Sequence, residues 1–146
     1  LLSFREIPAL LDCLERLGEL PDLFICDGQG IAHPRAFGLA AHLGVLLDRP
    51  SIGCAKSRLV GEHAEPPAER GGQAELCYQG RVVGAVLRTR RNVRPLYVSP
   101  GHRVTVADAT AFVLATATRF RVPEPIRLAH RLAAEEKRNH QRRSAP

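Results

Sequence analysis

The chain contains no methionine and no tryptophan, and only two tyrosines and five phenylalanines among its 146 residues. Aromatic side chains make up 5%, too few to build a platform on which the bases of a single strand would stack. With Leu1-Leu2 where an initiator would stand, the expectation is a stretch of a longer reading frame, or one whose start was removed. The four cysteines, Cys13, Cys26, Cys54 and Cys77, form no C-x-x-C pair. That argues against a zinc site and fits a reducing cytoplasm. Cys13 and Cys26 lie in apolar runs and read as small core hydrophobes. No apolar run is long enough to cross a bilayer, and the opening residues do not read as a signal peptide. A dinucleotide fingerprint is excluded as well, because G-x-G-x-x-G beginning at Gly28 would need glycine where His33 stands. There is no Walker A motif.

What is present is material for one folded α/β domain. Hydrophobic residues make up 45% of the chain, enough for a core at this length. A net charge of +6 favours a polyanionic partner, although a solvated basic surface is the plainer reading of charge alone. Leu10, Leu11, Leu14 and Leu17 recur at helical spacing behind a Ser3 cap, with Glu6 and Pro8 in the first turn and Gly18 as the stop. Residues 22–27 read as a buried parallel strand, 37–47 as a buried helix and 50–55 as a second buried strand. A loop over 61–72 precedes a hairpin, 75–78 with 82–88, and a strand at 96–99. A helix over 104–120 has Thr105 as its cap and Asp108 in its first turn. A last helix starts near Glu124 and runs into a basic tail, residues 137–146. Helix, strand, helix, strand, then hairpin and helices is an α/β pattern.

In such sheets ligands gather outside the carboxyl ends of parallel strands. Asp27 stands at that end, in Asp27-Gly28-Gln29-Gly30-Ile31-Ala32-His33. Read alone it is a turn cap; with a second acid it becomes a site for magnesium, which prefers carboxylates and water. Glu6 is the candidate partner. Lys56, following the second strand, could meet a phosphate, although a surface lysine is the plainer reading. His130 on the last helix reads by itself as a solvated helix-face histidine. The other histidines are scattered and show no metal-ligand spacing. The arginines Arg88, Arg90, Arg91 and Arg94, with Arg138, Arg142 and Arg143 in the tail, could neutralise phosphates without reading bases.

Five ordered stretches resemble the endonuclease V family of deoxyinosine-directed nucleases: residues 1–8 (LLSFREIP), 27–35 (DGQGIAHPR), 53–57 (GCAKS), 98–102 (VSPGH) and 123–130 (PEPIRLAH). The resemblance spans nearly the whole chain. It implies a ribonuclease-H-like mixed sheet flanked by helices. It also implies magnesium-dependent cleavage, with manganese able to stand in, at the second phosphodiester 3′ to deoxyinosine in DNA; some members act on inosine in RNA. By motif, Glu6, Asp27, Lys56 and His130 match active-site residues, with Asp27 and Glu6 as metal ligands. Leu2, Gly28, Gly38 and Leu59 match the pocket for the extruded hypoxanthine.

The sequence departs from the family at Gln29, where histidine is common. The family's first strands, with a further metal-binding aspartate, and its wedge tyrosine would fall before Leu1. On this reading the 146 residues are one endonuclease V-like domain, N-terminally incomplete and without its first strands, expected to be cytoplasmic, away from membranes and monomeric. Activity of this stretch alone is expected to be impaired. Two other readings stand beside it: a non-catalytic nucleic-acid-binding fragment, and, against the five ordered motifs, an unrelated α/β metabolic enzyme.

Overall fold

The computed structural model describes residues 2–146; the side chain of Leu2 lies outside what is described. Helix α1 (Leu2–Glu15) leads into strand β1 (Phe24–Cys26), helix α2 (Leu39–Leu47) and strand β2 (Ser51–Ala55). A hairpin follows, β3 (Gln73–Tyr78) and β4 (Arg81–Leu87), then β5 (Leu96–His102), α3 (Val106–Thr116) and α4 (Glu124–Ser144). The sheet order is β1-β2-β5-β4-β3. β1 and β2 are parallel, with Cys26 opposite Gly53; every other pairing is antiparallel. The parallel pair is joined through α2, as parallel neighbours require a crossover.

Each face of the sheet has its own filling. On one, Ile52, Cys54, Leu87, Leu96 and Val98 meet Ala109 and Val113 of α3 and Ile126 of α4. On the other, Leu76, Val83 and Val86 pack with Ala32 from the turn after β1. α2 lies on this second side, where the Ser51 hydroxyl donates to the Ala40 carbonyl at 2.6 Å. Period-two alternation separates the faces, so Ser51 and Gly53 point opposite to Ile52 and Cys54.

The expected elements are all found, with shifted ends and several corrections. Ser3 lies inside α1 and does not cap it, because the helix already includes Leu2; Pro8 is therefore an interior proline. Thr105 does cap α3, its hydroxyl accepting from the Asp108 amide at 3.0 Å. Cys13 is exposed and outside the core, since it sits on the face of α1 turned toward an open groove. β1 is only half-buried, because within the described sheet it pairs on one side alone. The basic tail is the end of α4, helical to Ser144 and exposed from Leu128 onward.

Arg88 is also reassigned. Its guanidinium is buried and binds Glu65 Oε1 at 2.8 Å and the carbonyls of Pro66, Pro67 and Val93 at 2.8–2.9 Å. It organises the 61–72 loop and is withdrawn from any phosphate surface. Planar, five-donor geometry suits such a multi-carbonyl socket.

Candidate active site

The parallel pairing of β1 and β2 sets the site. Asp27 immediately follows β1 and Lys56 immediately follows β2, so both leave the sheet at the same end. α4 begins with Pro123 ahead of it and Pro125 in its first turn, a placement that costs no helical hydrogen bond. Burial of Ile126 seats this first turn against the core, and the next turn delivers His130. All three converge on one oxygen: His130 Nε2 lies 2.8 Å from Asp27 Oδ2 and Lys56 Nζ 3.4 Å from the same atom. Asp27 is about one-third exposed and its two partners more so, leaving the cluster open to a large substrate.

Glu6 joins from α1. It lines two cavities with Asp27, one shared with His130 and one with Gly28, Gln29 and Gly38. Its charge adds to burial in pushing the Cys26 thiol up to about 12, a sign of how near α1 comes to β1. Burial and the charge of Asp27 hold the Cys54 thiol at about 12 as well. Both sulfurs stay protonated, which excludes them as nucleophiles. The approach of α1 is fixed by Phe4, whose ring meets His42 of α2 edge-on at 4.8 Å, with Phe37 on the same imidazole at 5.0 Å.

The turn after Asp27 is laid flat on the sheet. Gly30 donates its amide to the Ser99 hydroxyl at 2.8 Å, and Ile31 donates to Pro100 O at 2.8 Å. Gly53 on β2 must be glycine, because a Cβ there would fall on the main chain of Gln29 and Gly30. Gly38 meets the same limit from the α2 side. The result is a cavity of about 320 Å³ lined by Ser3, Glu6, Asp27, Gly28, His33 and Leu59, among others. Of the four expected pocket residues, Gly28, Gly38 and Leu59 line it; the fourth, Leu2, falls on the side chain outside the described residues.

Four residues of this cavity, Ser3, Gln29, His33 and Leu39, were given no site role from sequence, and two of them carry polar groups with defined partners. His33 accepts from the Arg35 amide at Nδ1, at 3.1 Å, so its Nε2 is left as the donor. Burial, then the charge of Arg35, holds the ring below its ordinary value, favouring the neutral form at neutral pH. Gln29 also lines the cavity, and its amide donates to Ser57 O at 3.3 Å. The signal for both was their place in the Asp27–Arg35 stretch; neither forms a recognisable spacing.

Among the described residues no three histidine, cysteine, aspartate or glutamate side chains gather closely enough to hold a metal ion. The donor chemistry present is two carboxylates facing shared cavities. That fits magnesium, which is commonly held by one or two carboxylates and completes its shell with water and substrate phosphate.

Asp27, bound by a histidine and a lysine at the carboxyl end of a parallel strand pair, sits on a ribonuclease-H-like mixed sheet flanked by helices. A sequence model of the endonuclease V family matches residues 1–131, and the chain belongs to that family. It is 60% identical over 134 residues to endonuclease V of Azotobacter vinelandii, covering 92% of this chain and 61% of that protein. To the Geotalea uraniireducens enzyme it is 61% identical over 137 residues, covering 94% and 58%. The chain thus spans about three-fifths of the length of these curated relatives. The crystal structure of endonuclease V from Streptomyces avermitilis superposes with a TM-score of 0.92 at 45% identity, over 97% of this chain and 62% of that one. A Ciona intestinalis endonuclease V, crystallised with a 24mer DNA containing an inosine followed by a ribo-adenosine, matches with a TM-score of 0.79 at 27% identity, over 94% and 66%.

Proposed function

We propose that this chain carries the larger part of a DNA repair endonuclease that nicks near deoxyinosine, at the second phosphodiester 3′ to the lesion, by magnesium-dependent hydrolysis. Inosine-containing RNA is a second substrate of the same chemistry. The observation that supports this reading is the convergence of Lys56 and His130 on Asp27 Oδ2, with Glu6 in the adjoining cavities. These are the four residues that the family motifs single out.

Glu6 and Asp27 would hold the ion. What magnesium, or manganese in its place, supplies when bound is activation of water and neutralisation of charge on the leaving oxygen. The Lys56 ammonium is placed to offset charge on a phosphate oxygen arriving at Asp27. His130 orients Asp27 through its Nε2 and can move a proton at that atom. The extruded base enters the cavity walled by Gly28, Gly38 and Leu59, with Leu2 assigned to it by resemblance; taking a base out of the stack costs a few kcal/mol, least for a mispaired one.

The further metal-binding aspartate that the family resemblance implies has no match among these residues, so nicking by these 146 residues alone is expected to be weak. A further carboxylate supplied by added chain would strengthen it. The test is a nicking assay with magnesium on inosine-containing duplex, using this chain, an extended chain and Asp27→Ala in each. Expected are strong nicking by the extended chain, weak nicking by the short one, and loss of about 100-fold or more with Asp27→Ala. Undiminished nicking by Asp27→Ala overturns the site. The unmatched aspartate also favours a second reading, a module that holds nucleic acid without cutting it; binding without nicking by both chains would establish that one.

A further inference from the structure

The segment that carries Lys56 is held from two directions. Arg121 lies in the connection between α3 and α4. Its guanidinium donates Nη2 to the main-chain oxygen of Lys56 at 2.9 Å and to Pro95 O at 3.0 Å. Its Nε donates to Arg94 O at 2.8 Å. One side chain therefore ties the exit of β2 to the entrance of β5. Arg121 is itself anchored from below: its carbonyl accepts from the hydroxyl of Thr89, a buried residue, at 2.6 Å. On the other side of Lys56, the Gln29 amide donates to Ser57 O at 3.3 Å.

We propose that Arg121 is a positioning residue of the active site, acting through the Lys56 carbonyl to aim the Lys56 ammonium at Asp27, with Gln29 as a lesser second strap on the same segment. Lys56 follows the last residue of β2, where ladder hydrogen bonds no longer constrain the chain, and its long side chain loses much rotamer freedom when held in one place. A backbone free to rotate at Lys56 would spread Nζ over a wide arc. Three carbonyls gathered on one planar cation remove that freedom. A salt bridge at 3.4 Å between half-exposed groups does not hold such a geometry by itself. The guanidinium has a structural role as well, joining β2 to β5, and the test has to separate the two.

The inference rests on Lys56 being a site residue, and its test does not depend on nicking. The chain has two lysines, Lys56 and Lys137. Selective lysine labelling with ¹³C and ¹⁵N therefore gives two sets of NMR signals, with Lys137 on the exposed end of α4 as the internal reference. In the unaltered chain the Lys56 Cε–Nζ group is expected to be distinctly more ordered than that of Lys137. In Arg121→Gln the Lys56 carbonyl signal shifts and its side-chain order falls to the Lys137 level; in Arg121→Lys, which can reach one carbonyl, both changes are partial. Gln29→Ala gives a smaller loss of order. Arg103→Ala, which breaks an ion pair elsewhere, lowers the melting temperature and leaves Lys56 unchanged. An Arg121→Gln chain that melts cooperatively with Lys56 order and carbonyl shift intact overturns the proposal. Should Arg121→Gln not fold, Arg121→Lys with an unmoved Lys56 overturns it equally. Lys56 responding as described, in a chain that never nicks, leaves the positioning role standing and removes the nuclease reading alone.

Discussion

Asp48 shows how much one carboxylate can be asked to do away from the site. It closes α2 in the left-handed conformation and accepts from Arg103 at 2.6 and 3.0 Å and from His102 at 2.9 Å. The Arg103 hydrogen bonds, then the His102 bond, pull its pKa from 3.8 to about 2. A carboxyl depressed in the folded state contributes stability that is present above 3.8 and lost as pH falls toward 2. Asp48→Asn is therefore expected to lower the melting temperature at pH 7 and to flatten its fall between pH 4 and pH 2, read by calorimetry across that range. An unchanged acid limb would mean that other carboxylates carry it. Asp27 differs in kind: its partners come from the end of β2 and from α4, so on the proposed function its loss should be felt first in nicking.

At the level of elements, α4 is two things in one helix. Its first turns are seated by Ile126 and present His130 to Asp27. Its remainder leaves the domain, exposed through Ser144, about 20 Å beyond His130 at the helical rise. Arg131, Arg138 and Arg142 fall on one stripe of that extension at intervals of seven and four residues. The family model matches residues 1–131, so most of this arm lies beyond that model. On the proposed function, replacing Lys137, Arg138, Arg142 and Arg143 with glutamine is expected to weaken DNA binding uniformly across sequences. The slope of log K against log salt should also become shallower, by about 0.9 for each phosphate that the arm no longer neutralises. Titration by fluorescence anisotropy at several salt concentrations measures it; an unchanged slope would exclude the arm from the interface.

For the molecule as a whole, the open side of β1 matters most. β1 is the edge of the described sheet, and beside it lies a groove of about 500 Å³ walled by Ala9, Leu10, Cys13, Phe24, Pro125 and Ala129, with Glu6, Asp27 and His130 at one end. An apolar groove along an unpaired strand edge invites another strand. Light scattering on these 146 residues is expected to show association that grows with concentration. A monomer that melts cooperatively at high concentration would mean that α1 and α4 shield the edge well enough.

The sequence by itself determined the order and type of the elements, because apolar periodicity and turn residues are local. It also determined the identity of Glu6, Asp27, Lys56 and His130 as candidates, because they sit in contiguous motifs. Their meeting was not legible. Asp27, Lys56 and His130 are brought to one oxygen by a parallel pairing and a helix packed from the far end of the chain, and no local pattern encodes that distance. The same holds for the roles of Arg88 and Arg121. In sequence both are members of a basic population; only the packed structure decides that one fills a loop's carbonyl socket and the other grips the carbonyl of Lys56. A guanidinium takes its role from the acceptors around it, and those acceptors are main-chain oxygens, which every residue carries and no sequence distinguishes.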